Sequence, residues 1–196
     1  MAVPMYKGHR DPRLLAYLDP QKNTKGREYM NTIVIPRFAE FFKNDDLIYS
    51  IGQHVFWDYS YLFNNFEKRC NYLTVDNDPT QGNPDIIDDI TDSKIESNTA
   101  DGVVYVGMSD VVRDHPKAIE HMYRILKPGG RLLFSFHGGG QRSPKETNMM
   151  AILDMLKEFV IDQMYFVYGP GGLEYGEMYT DGTLDSSFYI ARKPKV

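Results

Sequence analysis

The chain has 196 residues, enough for one domain with a sizeable core, and its 42% hydrophobic and 25% charged residues are ordinary for a globular protein. A net charge of -5 and a pI near 5.5 argue against nucleic acid as the main partner, because phosphate binding shows as a basic patch or excess. A single cysteine, Cys70, permits neither an internal disulfide nor a cysteine-based zinc site. No apolar run approaches the roughly 20 residues of a membrane helix. Residues 1–19 lack the charged front and long apolar core of a secretory leader, so the default compartment is cytoplasmic.

Residues 1–25 are rich in Pro, Gly, Lys, Arg and Tyr and read as an arm or lid; residues 26–196 read as a single domain. A helix is predicted from about Gly26 to Lys43, with Tyr29, Ile33, Phe38, Phe41 and Phe42 near helical spacing. Pro36 should kink it or start it anew. Leu47–Ile51 is a short apolar run closed by Gly52, a buried first strand. A helix over Asp58–Phe66 follows, then strands at Tyr72–Val75, Ile86–Ile87 and Gly102–Val106. Pro116–Leu126 is predicted helical, with Ile119, Met122, Tyr123 and Leu126 on one face and Pro116 in the first turn. Lys127-Pro-Gly-Gly stops it before a strand at Arg131–Phe136. A helix at Met149–Val160 and strands at Gln163–Tyr168 and Phe188–Ala191 complete the series. The last two strands flank a turn-rich excursion, Gly169–Asp185. Short apolar strands alternating with amphipathic helices imply an α/β fold: a Rossmann-like, seven-stranded, mostly parallel sheet with helices on both faces.

The run Asp101-Gly-Val-Val-Tyr-Val, then a helix, then Arg124-Ile-Leu-Lys-Pro-Gly-Gly-Arg-Leu-Leu-Phe-Ser resembles the class I S-adenosylmethionine (SAM)-dependent methyltransferases. Ser187-Phe-Tyr-Ile-Ala-Arg-Lys-Pro is similar to that family's last strand, and the resemblance spans roughly Asp45–Lys193. It implies SAM as cofactor, bound in the crevice beyond the carboxyl ends of the strands. There Gly52 lets the backbone approach the ligand, and Asp76, closing the second strand, is placed to accept hydrogen bonds from ribose hydroxyls. Asp89 is placed for the adenine amino group and Ile90 for its ring. Gly107 and Met108 leave the fourth strand beside the methionine portion. Ser50 and Gln53, on either side of Gly52, complete the cofactor-binding set that the resemblance implies; the first motif departs from the family pattern, with Ser50 in place of an acid that reaches the methionine amino group and His54 and Phe56 where small residues are expected.

Methyl transfer asks for alignment of acceptor and methyl group and at times a base. His137, after the fifth strand, and Asp110, after the fourth, are the catalytic candidates; strand capping is the competing reading of His137, and a helix N-cap is the simpler role for Asp114. No pair of the five histidines has metal-binding helical spacing with an intervening acid, so no metal site is expected. The leading expectation is methylation of oxygen or nitrogen on a small molecule, with a sugar or glycan precursor suggested by the aromatic content, the acidic charge and the short format without an added recognition domain. The alternative is a non-catalytic binding or scaffolding relative that has lost SAM binding. A nicotinamide oxidoreductase is disfavoured by the absence of Gly-x-Gly-x-x-Gly.

Overall fold

The computed structural model describes residues 29–52, 70–80, 84–109, 111–137, 149–168 and 184–195. A π-turn, Met30–Val34, runs into α1 (Ile35–Ala39), followed by β1 (Leu47–Ile51), β2 (Asn71–Asp76) and β3 (Ile86–Ile87). After a 3-10 turn, Ile90–Asp92, come β4 (Ala100–Tyr105), α2 (His115–Ile125), β5 (Leu126–His137), α3 (Met149–Met155), β6 (Val160–Tyr168) and β7 (Leu184–Arg192). The predicted helix at 58–66, the arm at 1–25 and the excursion at 169–183 lie outside the described residues.

One seven-stranded sheet has the order β3-β2-β1-β4-β5-β7-β6. Pairs among β1 to β5 are parallel, and β7 runs antiparallel to both β5 and β6. Successive strands step outward from β1 to β3, then the chain returns to the other side of β1 with β4. That reversal opens a crevice at the carboxyl edge.

Side chains alternate along each strand, so the buried residues divide into two clusters. Tyr49, Ile51, Val103, Tyr105, Leu132 and Phe134 join Ile119, Met122 and Ile125 of α2 and Ile152 of α3. Ile48, Val104, Leu133, Phe188 and Ile190 join Ile35, Phe38 and Ala39 of α1. Each Val, Leu, Ile, Phe or Met among them contributes roughly 1.5–3 kcal/mol of burial free energy.

The boundaries differ from expectation where local chemistry intervenes. Pro36 cannot donate to a carbonyl one turn back and its ring crowds that turn, so the preceding residues widen into the π-turn and α1 begins around the proline. Its end tightens, Phe41 and Phe42 donating to the carbonyls of Phe38 and Ala39. α3 stops five residues before the predicted Val160, because Val160 and Ile161 already pair with Arg192 and Ala191 of β7. β5 begins early: Leu126 pairs with Ala100, but the next pair is Gly102 with Arg131, so Lys127-Pro-Gly-Gly forms a bulge. Gly129, at φ 83°, makes that bulge possible, and its N–H donates to the Lys193 carbonyl.

Candidate functional site

Four strand ends converge at the carboxyl edge of β3-β2-β1-β4. β1 leaves the sheet at Gly52, which takes φ 66° while its N–H still donates to Val75 at 2.8 Å. β2 ends in Asp76, whose Oδ1 accepts from the Asp78 N–H at 2.9 Å. Asp85 ties β3 to β2, its Oδ2 accepting from the N–H and hydroxyl of Thr74.

Beyond β3 two adjacent acids diverge. Asp88 accepts from the Lys94 N–H through Oδ1 at 2.9 Å, while its Oδ2 is buried with no hydrogen-bond partner among the described residues. Asp89 caps the 3-10 turn, accepting from the Thr91 N–H at 2.9 Å and the Thr91 hydroxyl at 2.8 Å. Those two bonds hold its carboxyl below the ordinary aspartate value. Ile90 is buried beside them.

Past β4, Gly107 (φ 69°) donates its N–H to the Ser135 hydroxyl at 3.0 Å. The Met108 carbonyl then accepts from both Val111 and Val112 at 3.1 Å. The loop ends at buried His115. Its Nε2 lies 3.2 Å from the Ser109 carbonyl, which can only accept, so this nitrogen carries the proton. Nδ1 is then the acceptor for the Tyr105 hydroxyl at 3.0 Å. Burial raises the Tyr105 phenol pKa, keeping it a donor. Asp114 caps α2, accepting from the Lys117 N–H at 3.0 Å.

These segments enclose an open crevice of about 640 Å³, within the range of small-molecule sites. Its apolar wall includes Ile51, Val75, Ile90 and Val112; its carboxylates are Asp76, Asp78, Asp88, Asp89 and Asp114, with Arg113 the one cation lining it among the described residues. Such a surplus of carboxylates favours a ligand with positive charge.

Of the residues singled out from sequence, Gly52, Asp76, Asp89, Ile90 and Met108 line this crevice together. Gly107 sets the loop geometry next to Met108. Ser50 is buried on β1, level with Thr74 and Val104 and on the strand face of Ile48 rather than in the crevice wall. Gln53, His54, Phe56 and Asp110 lie outside the described residues. The His137 backbone closes β5 opposite Ser186 of β7. Asn77, Asp78, Asp88, Thr91, Val111 and Val112 were missed; each sits within a few residues of an expected strand end, and that proximity was the only available signal.

The residues that carried the family resemblance lie away from the crevice. Asp101, at the start of β4, accepts from the Leu47 N–H at 2.9 Å and pairs with Lys127 at 2.8 Å. Arg124 holds the 93–97 loop through the carbonyls of Ser93 and Ile95 and the Ser97 hydroxyl. The motif is a scaffold signature.

Residues 62–134 match a family model described as a methyltransferase domain. A SAM-dependent methyltransferase from Methanosarcina mazei is similar in structure at 14% identity and TM-score 0.59, the match covering 82% of this chain and 98% of that one. Phosphoethanolamine N-methyltransferase 2 of Haemonchus contortus, in complex with SAM, matches at 17% identity and TM-score 0.60 over 85% of this chain and 52% of that one. The CurJ carbon methyltransferase matches at 16% identity and TM-score 0.63, covering 86% and 55%. The matched segment is thus similar to a methyltransferase domain, and the chain shares the fold of these solved methyltransferases. No curated protein matches it in sequence.

SAM is the ligand against which the crevice can be tested, and the lining suits it chemically. The apolar walls would accommodate a purine, the strand-end carboxylates could accept from a ribose diol, and the acidic balance would match a sulfonium and an ammonium. A buried acceptor left without a donor costs about 1–3 kcal/mol, and Asp88 Oδ2 is such an acceptor in the crevice wall.

Proposed function

We propose that this methyltransferase domain methylates oxygen or nitrogen of a small molecule, and that its sheet is covered by helices on both faces, as the two core clusters support. The observation that carries the functional reading is the crevice at the β1/β4 reversal, where Gly52, Asp76, Asp89, Ile90 and Met108 meet. In this reading Asp76 receives the ribose hydroxyls and Ile90 covers the adenine ring. Asp89, held by Thr91, keeps a negative charge near the adenine amino group. Bound SAM supplies an electrophilic methyl group, which a lone pair of the acceptor takes. The domain's part is to align that lone pair, exclude water and remove the acceptor's proton. His137, whose backbone ends β5 at the same edge of the sheet, is our candidate base, with Asp110 the second.

A small acceptor is supported by the acidic charge of the chain and by the similar phosphoethanolamine enzyme. A sugar or glycan precursor remains our candidate class within it. The test is incubation with methyl-labelled SAM and separate panels of small amines, sugars, oligonucleotides and proteins. Label in the amine or sugar fraction, lost in His137→Ala, is expected; label only in polymer, or on carbon, contradicts the proposal. The non-catalytic reading is favoured by one observation, the Ser50 position, where the chain lacks the family's acid. It predicts no transfer in any panel.

A further inference from the structure

Gly52 has a neighbour that a cofactor cradle does not require. A Cβ built on this glycine would overlap Sδ and Cε of Met108 and lie 3.2 Å from its Cγ. The thioether end of Met108 is therefore seated directly on the Gly52 backbone. Met108 is only 5% exposed and belongs to the core cluster, yet it also lines the crevice. Its backbone is fixed, since its carbonyl accepts from both Val111 and Val112 and Gly107 is tied to Ser135. Its side chain has three rotatable bonds and a soft, polarisable tip. The part of Met108 that covers Gly52 is thus the part able to move.

We infer that Met108 is a displaceable floor of the crevice that sets cofactor affinity, covering the Gly52 backbone when the site is empty and rotating away when an adenosyl ligand enters. This rests on the SAM-binding reading above. A ligand that needs the close approach left open by a residue without a side chain competes with the thioether for the same space. Apparent affinity is then the intrinsic affinity scaled by the fraction of molecules with Met108 withdrawn. Glycine at position 52 is required twice over, by its positive φ and by the Met108 tip. A side chain of similar volume but less flexibility would hold the floor in place.

The test is calorimetric titration of S-adenosylhomocysteine into the full chain and into Met108→Ala and Met108→Leu, with thermal melts to establish that each variant folds. Removing the floor should tighten binding about tenfold, and stiffening it with the volume-conserving leucine should weaken binding about tenfold. If the alanine variant does not fold, the leucine result decides. Wild-type binding that neither variant changes, or that alanine weakens, overturns the role of Met108 and leaves the SAM reading standing. Absence of binding in all three folded proteins overturns the SAM reading and this inference with it.

Discussion

Single side chains at the crevice do one of two jobs, positioning backbone or presenting charge, and the hydrogen bonds separate them. Asp89 does both. Its carboxyl is held below the ordinary aspartate value by the Thr91 N–H and hydroxyl, so an NMR titration should place its midpoint below 3.8, and Thr91→Val should move it back upward. A carboxyl depressed on folding adds stability that is present above its unfolded value and is lost as pH falls through the folded one. The contribution is small because Asp89 is largely exposed. His115 is a positioning residue. Replacing it with Phe removes the bond to the Ser109 carbonyl and strands the Tyr105 hydroxyl, at about 1–3 kcal/mol for that buried group. Urea unfolding should show that loss, and adding Tyr105→Phe should recover part of it, because the phenol is then no longer orphaned.

At the scale of elements, α2 connects the scaffold to the site: its N-terminus closes the crevice loop and its C-terminus is held by the sheet. Lys193 donates to the carbonyls of Tyr123 and Leu126 and to Asn98, fixing that far end. Asp114 fixes the near end, so Asp114→Ala should cost about 1 kcal/mol in denaturant unfolding. The core strands were readable from sequence because β1 and β4 are short apolar runs between polar breaks. Boundaries were less so. The bulge at Lys127-Pro-Gly-Gly reads locally as a turn, and only the pairing of Leu126 with Ala100 before it and the bonds of Gly129 and Gly130 to Lys193 make it part of β5. Period-two alternation along β1 already places Ser50 on the face of Ile48, the side covered by the α1 cluster rather than the crevice wall. The split roles of Asp88 and Asp89 depend on Lys94 and Thr91, and adjacent acids carry no sign of such partners. The seating of Met108 on Gly52 joins residues 56 apart and could not be read locally.

The whole molecule couples its site to folding, because the crevice walls come from four separate strands that exist as neighbours only in the assembled sheet. A ligand that binds only this arrangement raises stability by mass action, about 2.7 kcal/mol at a hundredfold excess over its dissociation constant. S-adenosylhomocysteine should therefore raise the melting temperature in a concentration-dependent way. The acidic crevice should make binding weaken with added salt where the ligand's ammonium is the partner, and adenosine alone should show less of this dependence.

The most direct measurement is calorimetric titration of S-adenosylhomocysteine into the wild-type chain and into Asp76→Ala, with both proteins verified as folded. Removing a strand-end carboxylate that accepts hydrogen bonds from the ligand costs about 1.5–3 kcal/mol. Micromolar binding by the wild type, weakened tenfold or more in Asp76→Ala, is the result predicted here. Binding that Asp76→Ala leaves unchanged, or no binding by the folded wild type, would contradict the assignment of this crevice as the SAM site.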